Sequence, residues 1–348
     1  MSERFALGTI NDERTARIAL SYAVPVGHEL TGRLLHQYGA LQTLQFALGS
    51  DPPGVDRTTL TVWRSHFDGY EPQLVARGFD LAEQHNLVAI VPGDDAWPTG
   101  VDDLRDRAPA ALWTRGGRPE LLNRPLWERA TITGARAAGF SGMWDAQQLS
   151  VGLALRNISI VTSAQRGVSR MALAGTLDNE NGAIAVFSSG LDDLYPSTPN
   201  GFFDTIAEQG ILVSETPPGV RPSRDSLQGA SRIIAALSAV TTVVESGPRG
   251  LAMDTAAHAR NLRRHVAAVR GPEDEIGSLG TNMLIDHGVA ISVMDRDDVM
   301  SALENFRRKS DFITAVSEPL HQAQSAIPEE LQRPQSPLIS GHDASRSL

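Results

Sequence analysis

Nine short apolar runs, most of them rich in β-branched residues, alternate with helix-length segments between residue 73 and about residue 305, and no other feature narrows the fold so far. The runs are Leu87 to Val91, Ala111 to Thr114, Ala130 to Thr133, Ser159 to Thr162, Ala183 to Phe187, Gly210 to Ser214, Val240 to Val244, His265 to Val269 and Ala290 to Val293. Between them, segments 144–155, 170–178, 200–209 and 251–264 have helical length. Strands covered by helices on both faces read as continuous apolar stretches rather than as alternation. The pattern therefore predicts an α/β chain with a doubly wound, mainly parallel, Rossmann-like sheet.

Ahead of this core, residues 12–49 place Ile18, Ala19, Leu20, Leu34, Leu35, Leu41 and Leu44 at helical spacing, which predicts two or three short helices around a Val26-Gly27 turn. The chain divides accordingly into an N-terminal helical module (1–55), a linker (56–72), the Rossmann-like core (73–305) and a polar, proline-rich tail (306–348) expected to be disordered.

With 31 Lys+Arg against 41 Asp+Glu, the formal charge of −10 excludes an indiscriminate polycation, so any nucleic-acid site must be a local patch. Lys309 is the only lysine, and arginine suits phosphate because its planar fork grips two oxygens at once; a GC-rich coding bias explains the same count. Cysteine is absent, which removes disulfides, thiolate zinc sites and a cysteine nucleophile. The N-terminus carries no apolar signal core, and no run reaches the roughly 20 apolar residues of a membrane span, so a soluble, cytoplasmic protein without membrane association is expected.

The strand Ala130 to Thr133 runs directly into Gly134-Ala135-Arg136 ahead of a helix. Such a junction brings backbone close to a ligand, aims helix N–H groups at an anion and adds a charge-assisted contact; an ordinary βα turn has the same form. Classical dinucleotide and P-loop strings are missing, and the nine histidines are scattered without metal-ligand spacing, so no cofactor or metal is expected. His258 reads as structural, and Glu215 and Glu245, at strand ends, read as caps of nearby helix amides or as general bases.

The junction lies in a longer collinear series. Ala111-Leu112-Trp113-Thr114-Arg115-Gly116-Gly117 with Glu120-Leu121-Leu122-Asn123 precedes it, and Val161-Thr162-Ser163-Ala164-Gln165-Arg166-Gly167-Val168 follows. Then come Ala185-Val186-Phe187-Ser188-Ser189-Gly190-Leu191-Asp192, Ser214-Glu215-Thr216-Pro217-Pro218-Gly219, Ser231-Arg232-Ile233-Ile234-Ala235-Ala236-Leu237-Ser238, Val243-Val244-Glu245 with Gly247, Arg249, Thr255 and His258, and Gly280-Thr281-Asn282. In order and spacing, residues 111–288 resemble the DprA/Smf family of DNA-processing proteins.

That resemblance implies an extended Rossmann-like core behind a SAM-like or helix-hairpin-helix-like N-terminal domain. It implies binding of single-stranded DNA and mediation of recombination in natural transformation, with RecA recombinase and a second copy of the chain as partners and no catalytic centre. The DNA-binding roles fall on Arg136, Arg166, Gly134, Gly167, Arg232, Arg249 and Thr255, with no catalytic residue. The departures from the family pattern sit at this pocket. Ser163 replaces a glycine, Ser169 an aspartate, Leu227 a phenylalanine able to stack on a base, and Ala230 an arginine. Arg156, Arg170, Arg260, Arg263 and Arg264 are candidates for substitute charge. A module that keeps the fold but engages only protein is the second reading. A third is a LOG-type nucleoside-monophosphate phosphoribohydrolase, although Ser246 to Leu251 lacks the glutamate that follows that family's glycine-rich loop. The usual C-terminal winged-helix module of many family members is not expected here.

Overall fold

The computed structural model of the chain describes residues 2–177, 181–198 and 201–325. Three of the first helices start on a side-chain cap. Asp12 accepts the Thr15 N–H to open α1 (Glu13–Ala23), His28 accepts the Thr31 N–H to open α2 (Glu29–Ala47), and Asp56 accepts the Thr59 N–H to open α3 (Arg57–Ser65). Helix α3 corrects the expectation of a linker at 56–72. Leu60 and Trp63, three residues apart, both enter the core, and the Trp63 Nε1 donates to Thr31 Oγ1 at 2.9 Å, tying α3 to α2. A nine-residue helix carries too few turns for periodicity to show in the sequence.

After α4 (Pro72–Gln84) the sheet begins with β1 (Val88–Ile90), β2 (Leu112–Arg115) and β3 (Arg129–Thr133). Alternation follows: α5 (Phe140–Ala154), β4 (Ser159–Ser163), α6 (Val168–Ala174), β5 (Ala183–Phe187), α7 (Phe202–Gln209), β6 (Ile211–Ser214), α8 (Arg224–Ala236), β7 (Val240–Val243), α9 (Leu251–Asn261), β8 (His265–Val269), α10 (Leu279–Asp286), β9 (Ile291–Val293) and α11 (Arg296–Ser325). Each of the nine apolar runs forms one strand.

The strand order is β1-β2-β6-β5-β4-β3-β7-β8-β9. Neighbours from β6 to β9 pair in parallel, and β1 and β2 add an antiparallel edge. The chain winds outward from β3 to β6, then returns to place β7, β8 and β9 on the other side of β3. At that reversal the loops leaving β3 and β7 diverge and open a crevice beyond the carboxyl ends of the strands. Strands β3, β5, β6 and β7 are buried along their full length, with α5 and α11 supplying Leu149, Leu153, Val299 and Leu303 to one apolar cluster and α8 supplying Ile233 and Ile234 to another.

Met1–Phe306 forms one compact unit that includes α1 to α4, and the Tyr22 hydroxyl donates to the Pro218 carbonyl at 3.0 Å. A second unit begins at Arg307. Within it α11 continues to Ser325. Along it Arg307 and Asp311 pair at i,i+4. The remainder of the expected tail, 326–348, lies outside the described residues. No helix among the described residues is long and apolar enough to cross a membrane.

Candidate nucleic-acid interface

Three loops meet at the crevice, those after β3, β4 and β7. The Ala135 N–H donates to the Glu245 carbonyl at 2.6 Å, and the Val168 N–H donates to the Ala135 carbonyl at 3.2 Å. Two glycines permit this closeness. A Cβ on Gly134 would lie 2.7 Å from the Glu245 carbonyl oxygen, and Gly167, at φ 72°, has the Ala135 carbonyl and the Arg136 carbonyl pressed against the position its Cβ would take. Arg136 and Arg166 are thereby held on adjoining loops, both exposed and neither tied to a carboxylate among the described residues.

Between these loops and α8 lies a narrow cleft. Its lining includes Thr133, Gly134 and Arg136 from the β3 loop, Ser163 and Gln165 from the β4 loop, Ser188 beyond β5, Leu227 and Ser231 on α8, and Leu251 and Thr255 on α9. The Ser188 hydroxyl is buried there without a hydrogen-bond partner among the described residues. Ser163 Oγ donates to Ser169 Oγ at 2.9 Å.

The expected site residues do not all gather here. Gly134, Arg136 and Thr255 line the cleft, although the Thr255 hydroxyl already donates to the Leu251 carbonyl at 2.7 Å. Arg249 is exposed on the β7 loop and is not among the lining residues. The assignment of Arg232 to DNA is corrected. It is 1% exposed and forms two contacts of 2.6 Å with the Glu215 carboxylate, while donating to the Arg107 and Gly229 carbonyls. Helical geometry explains the error: Leu227, Ala230, Ser231 and Ile234 stand three and four apart on the face toward the cleft, so Arg232 points elsewhere. Glu215 also accepts the Gly27 N–H at 3.2 Å, joining the turn before α2 to the end of β6.

Glu245 acts as the cap expected of it, its carboxylate accepting the Gly139 N–H where α5 begins. The start of α5 is thus already supplied with an anion, and the N-terminus of that helix is not open to phosphate. The candidate substitute charges are largely committed elsewhere. Arg264 pairs with Asp103 and Arg156 approaches Asp297, while the Arg170 guanidinium lies 4.8 Å and 4.9 Å over the rings of Phe202 and Phe203. Burial, and then the neighbouring Arg166, pull the Arg170 pKa down. His258 is likewise lowered, first by burial and then by Arg107 and Arg232. Among the described residues no group of three or more His, Cys, Asp or Glu is placed to hold a metal.

Comparison with known proteins identifies the family of the chain. The family model for DNA recombination-mediator protein A matches residues 88–304. A putative DNA processing protein DprA of Mycobacterium tuberculosis is 36% identical over 221 residues, 61% of this chain and 56% of that protein. DNA processing protein DprA of Streptococcus pneumoniae is 29% identical over 211 residues, 61% of this chain and 72% of that one. The chain thus spans little more than half the length of the first of these relatives. The solved structure of the Streptococcus pneumoniae protein superposes with a TM-score of 0.68 at 24% identity, covering 84% of this chain and 98% of the other. DNA processing protein A of Helicobacter pylori, whose structure was described for its single-stranded DNA binding mode, superposes with a TM-score of 0.55 at 24% identity over 63% of this chain and 96% of its own. The matched region takes in β1 to β9 and every loop of the cleft, and the chain belongs to the DNA recombination-mediator protein A family.

Proposed function

We propose that the chain binds single-stranded DNA through the loops at the carboxyl ends of β3, β4 and β7, and serves recombination by presenting that strand to other proteins rather than by catalysis. The observation that carries this reading is the pair of exposed guanidiniums, Arg136 and Arg166, brought onto adjoining loops by Gly134 and Gly167 beside a partly polar cleft. Arg249 and Thr255 extend the surface from the β7 side. RecA recombinase, a second copy of this chain and a cytoplasmic setting complete the proposal, supported by family membership. Glu245, beside the β3 loop, is engaged in capping α5, which argues against the phosphoribohydrolase reading, since that carboxylate already holds a backbone amide.

Fluorescence anisotropy with a labelled single-stranded oligonucleotide at low salt tests the reading. Saturable binding that weakens when both arginines become alanine is expected. Failure of the wild-type protein to bind would refute the proposal, and release of free base from nucleoside monophosphates would return the enzyme reading.

A further inference from the structure

None of the residues lining the cleft is aromatic. A large unpartnered aromatic surface nevertheless lies directly beyond Arg136. Phe140 and Trp144 occupy the first turns of α5, four residues apart on one helix face, and are 81% and 52% exposed. Their rings run nearly parallel, 16° apart with centroids separated by 6.5 Å, toward the loose end of the range for stacked pairs. Two large rings turned to water side by side are costly to leave uncovered and mark a contact surface.

Charge and position indicate what covers them. The loop leading into this helix carries the exposed Arg136, so one continuous stretch of nine residues presents a cation and then two ring faces. The nearest acid below the first turn, Glu245, is directed inward, with its carboxylate on the Gly139 N–H and its side chain packed against Gly142 and Gly277. Asp145 is half-buried beside a separate groove lined by Met294 and Arg296. A guanidinium followed by stacking faces is the combination that holds single-stranded nucleic acid without regard to sequence.

We propose that Phe140 and Trp144 form a base-stacking platform for single-stranded DNA, receiving the bases that follow a phosphate held at Arg136. This rests on the single-stranded DNA reading above and supplies the aromatic contact that the cleft lacks.

The test compares a roughly 12-nucleotide oligothymidine with an abasic strand of equal length, using wild type, Phe140→Ala, Trp144→Ala, the double variant and Phe140→Tyr. Wild type prefers the base-bearing strand. The double variant loses about 10- to 100-fold in affinity for it and nothing for the abasic strand, and Phe140→Tyr retains wild-type binding. Both substituted side chains are exposed, so thermal unfolding of the variants stays near that of wild type. Equal affinity of wild type and double variant for the base-bearing strand overturns the platform while leaving the Arg136 and Arg166 site standing. An unchanged affinity accompanied by loss of self-association in sedimentation also overturns it and assigns the rings to a second copy of this chain. A wild-type protein that binds neither strand overturns this proposal and the functional reading together.

Discussion

Arg232 and the pair Arg136 and Arg166 are the same residue type at opposite extremes of environment. Arg232 sits at the join between the helices before the sheet and the end of β6, with its donors spent on Glu215 and on two backbone carbonyls. Arg136 and Arg166 sit on the crest of the sheet with their donors facing solvent. A buried guanidinium is expensive to desolvate and is held only by complete pairing, whereas an exposed one costs little and stays available to an incoming phosphate. Arginine count thus says little about nucleic-acid binding in this chain; burial and pairing separate the arginines held within the fold from those left free to meet a ligand.

The sharpest way to break that contrast is to remove the buried member. Arg232→Ala leaves Glu215 as an uncompensated charge and is expected to cost about 3–5 kcal/mol in denaturant unfolding. Replacing both partners, as in Arg232→Met with Glu215→Leu, costs less than either single change, because no lone charge remains. Strand affinity of the folded protein stays within about twofold. A loss of affinity without a loss of stability would place Arg232 with the DNA-binding residues after all.

A smaller effect is expected where the crest is assembled. Gly167→Ala forces a side chain into left-handed backbone at φ 72° and against the Ala135 carbonyl. It should destabilise by about 1–3 kcal/mol and reduce strand binding as well, because it pushes the Arg166 loop from the Arg136 loop. Intact binding in a destabilised protein would show that the two loops work separately.

The smallest effect concerns the helical side of the comparison. His28 accepts the Thr31 N–H at 3.3 Å as the cap of α2, and burial, with His66 beside it, holds its pKa below the ordinary value. A depressed histidine pKa means that the unfolded chain takes up the proton first. Its contribution is therefore fully present above about pH 6.5 and is lost as pH falls through the lowered folded value. Unfolding midpoints between pH 7.5 and pH 5 should fall less in His28→Asn than in wild type, since asparagine caps without titrating.

The strands were legible because a parallel sheet buries both faces, so each strand is a short apolar run bounded by turns; Ala130 to Thr133 and Ala183 to Phe187 needed no further information. The glycines at 134 and 167 were legible through their place in the strand-turn-helix series. What the sequence could not show is which way a helical residue turns when apolar and polar positions crowd together. Arg232 follows Ser231 directly, and only packing reveals that the serine meets the cleft and the arginine meets Glu215. Helix α3 escaped because Leu60, Val62 and Trp63 stand in a segment of only nine residues, too few turns for a period to show. Phe140 and Trp144 carry the one signal available, an i,i+4 aromatic pair, but the same spacing usually marks a core face, and only exposure distinguishes the two.

The central claim concerns the crest, and the salt dependence of strand binding tests it most directly. Wild type, Arg136→Ala and Arg166→Ala would be titrated with one labelled single strand across a range of salt concentrations, and the logarithm of affinity plotted against that of salt. Each substitution is expected to weaken binding, to lower the slope by about 0.7 for one lost phosphate contact, and to leave the unfolding midpoint unchanged. Slopes equal to wild type in both variants would contradict the account and move the DNA surface away from these loops.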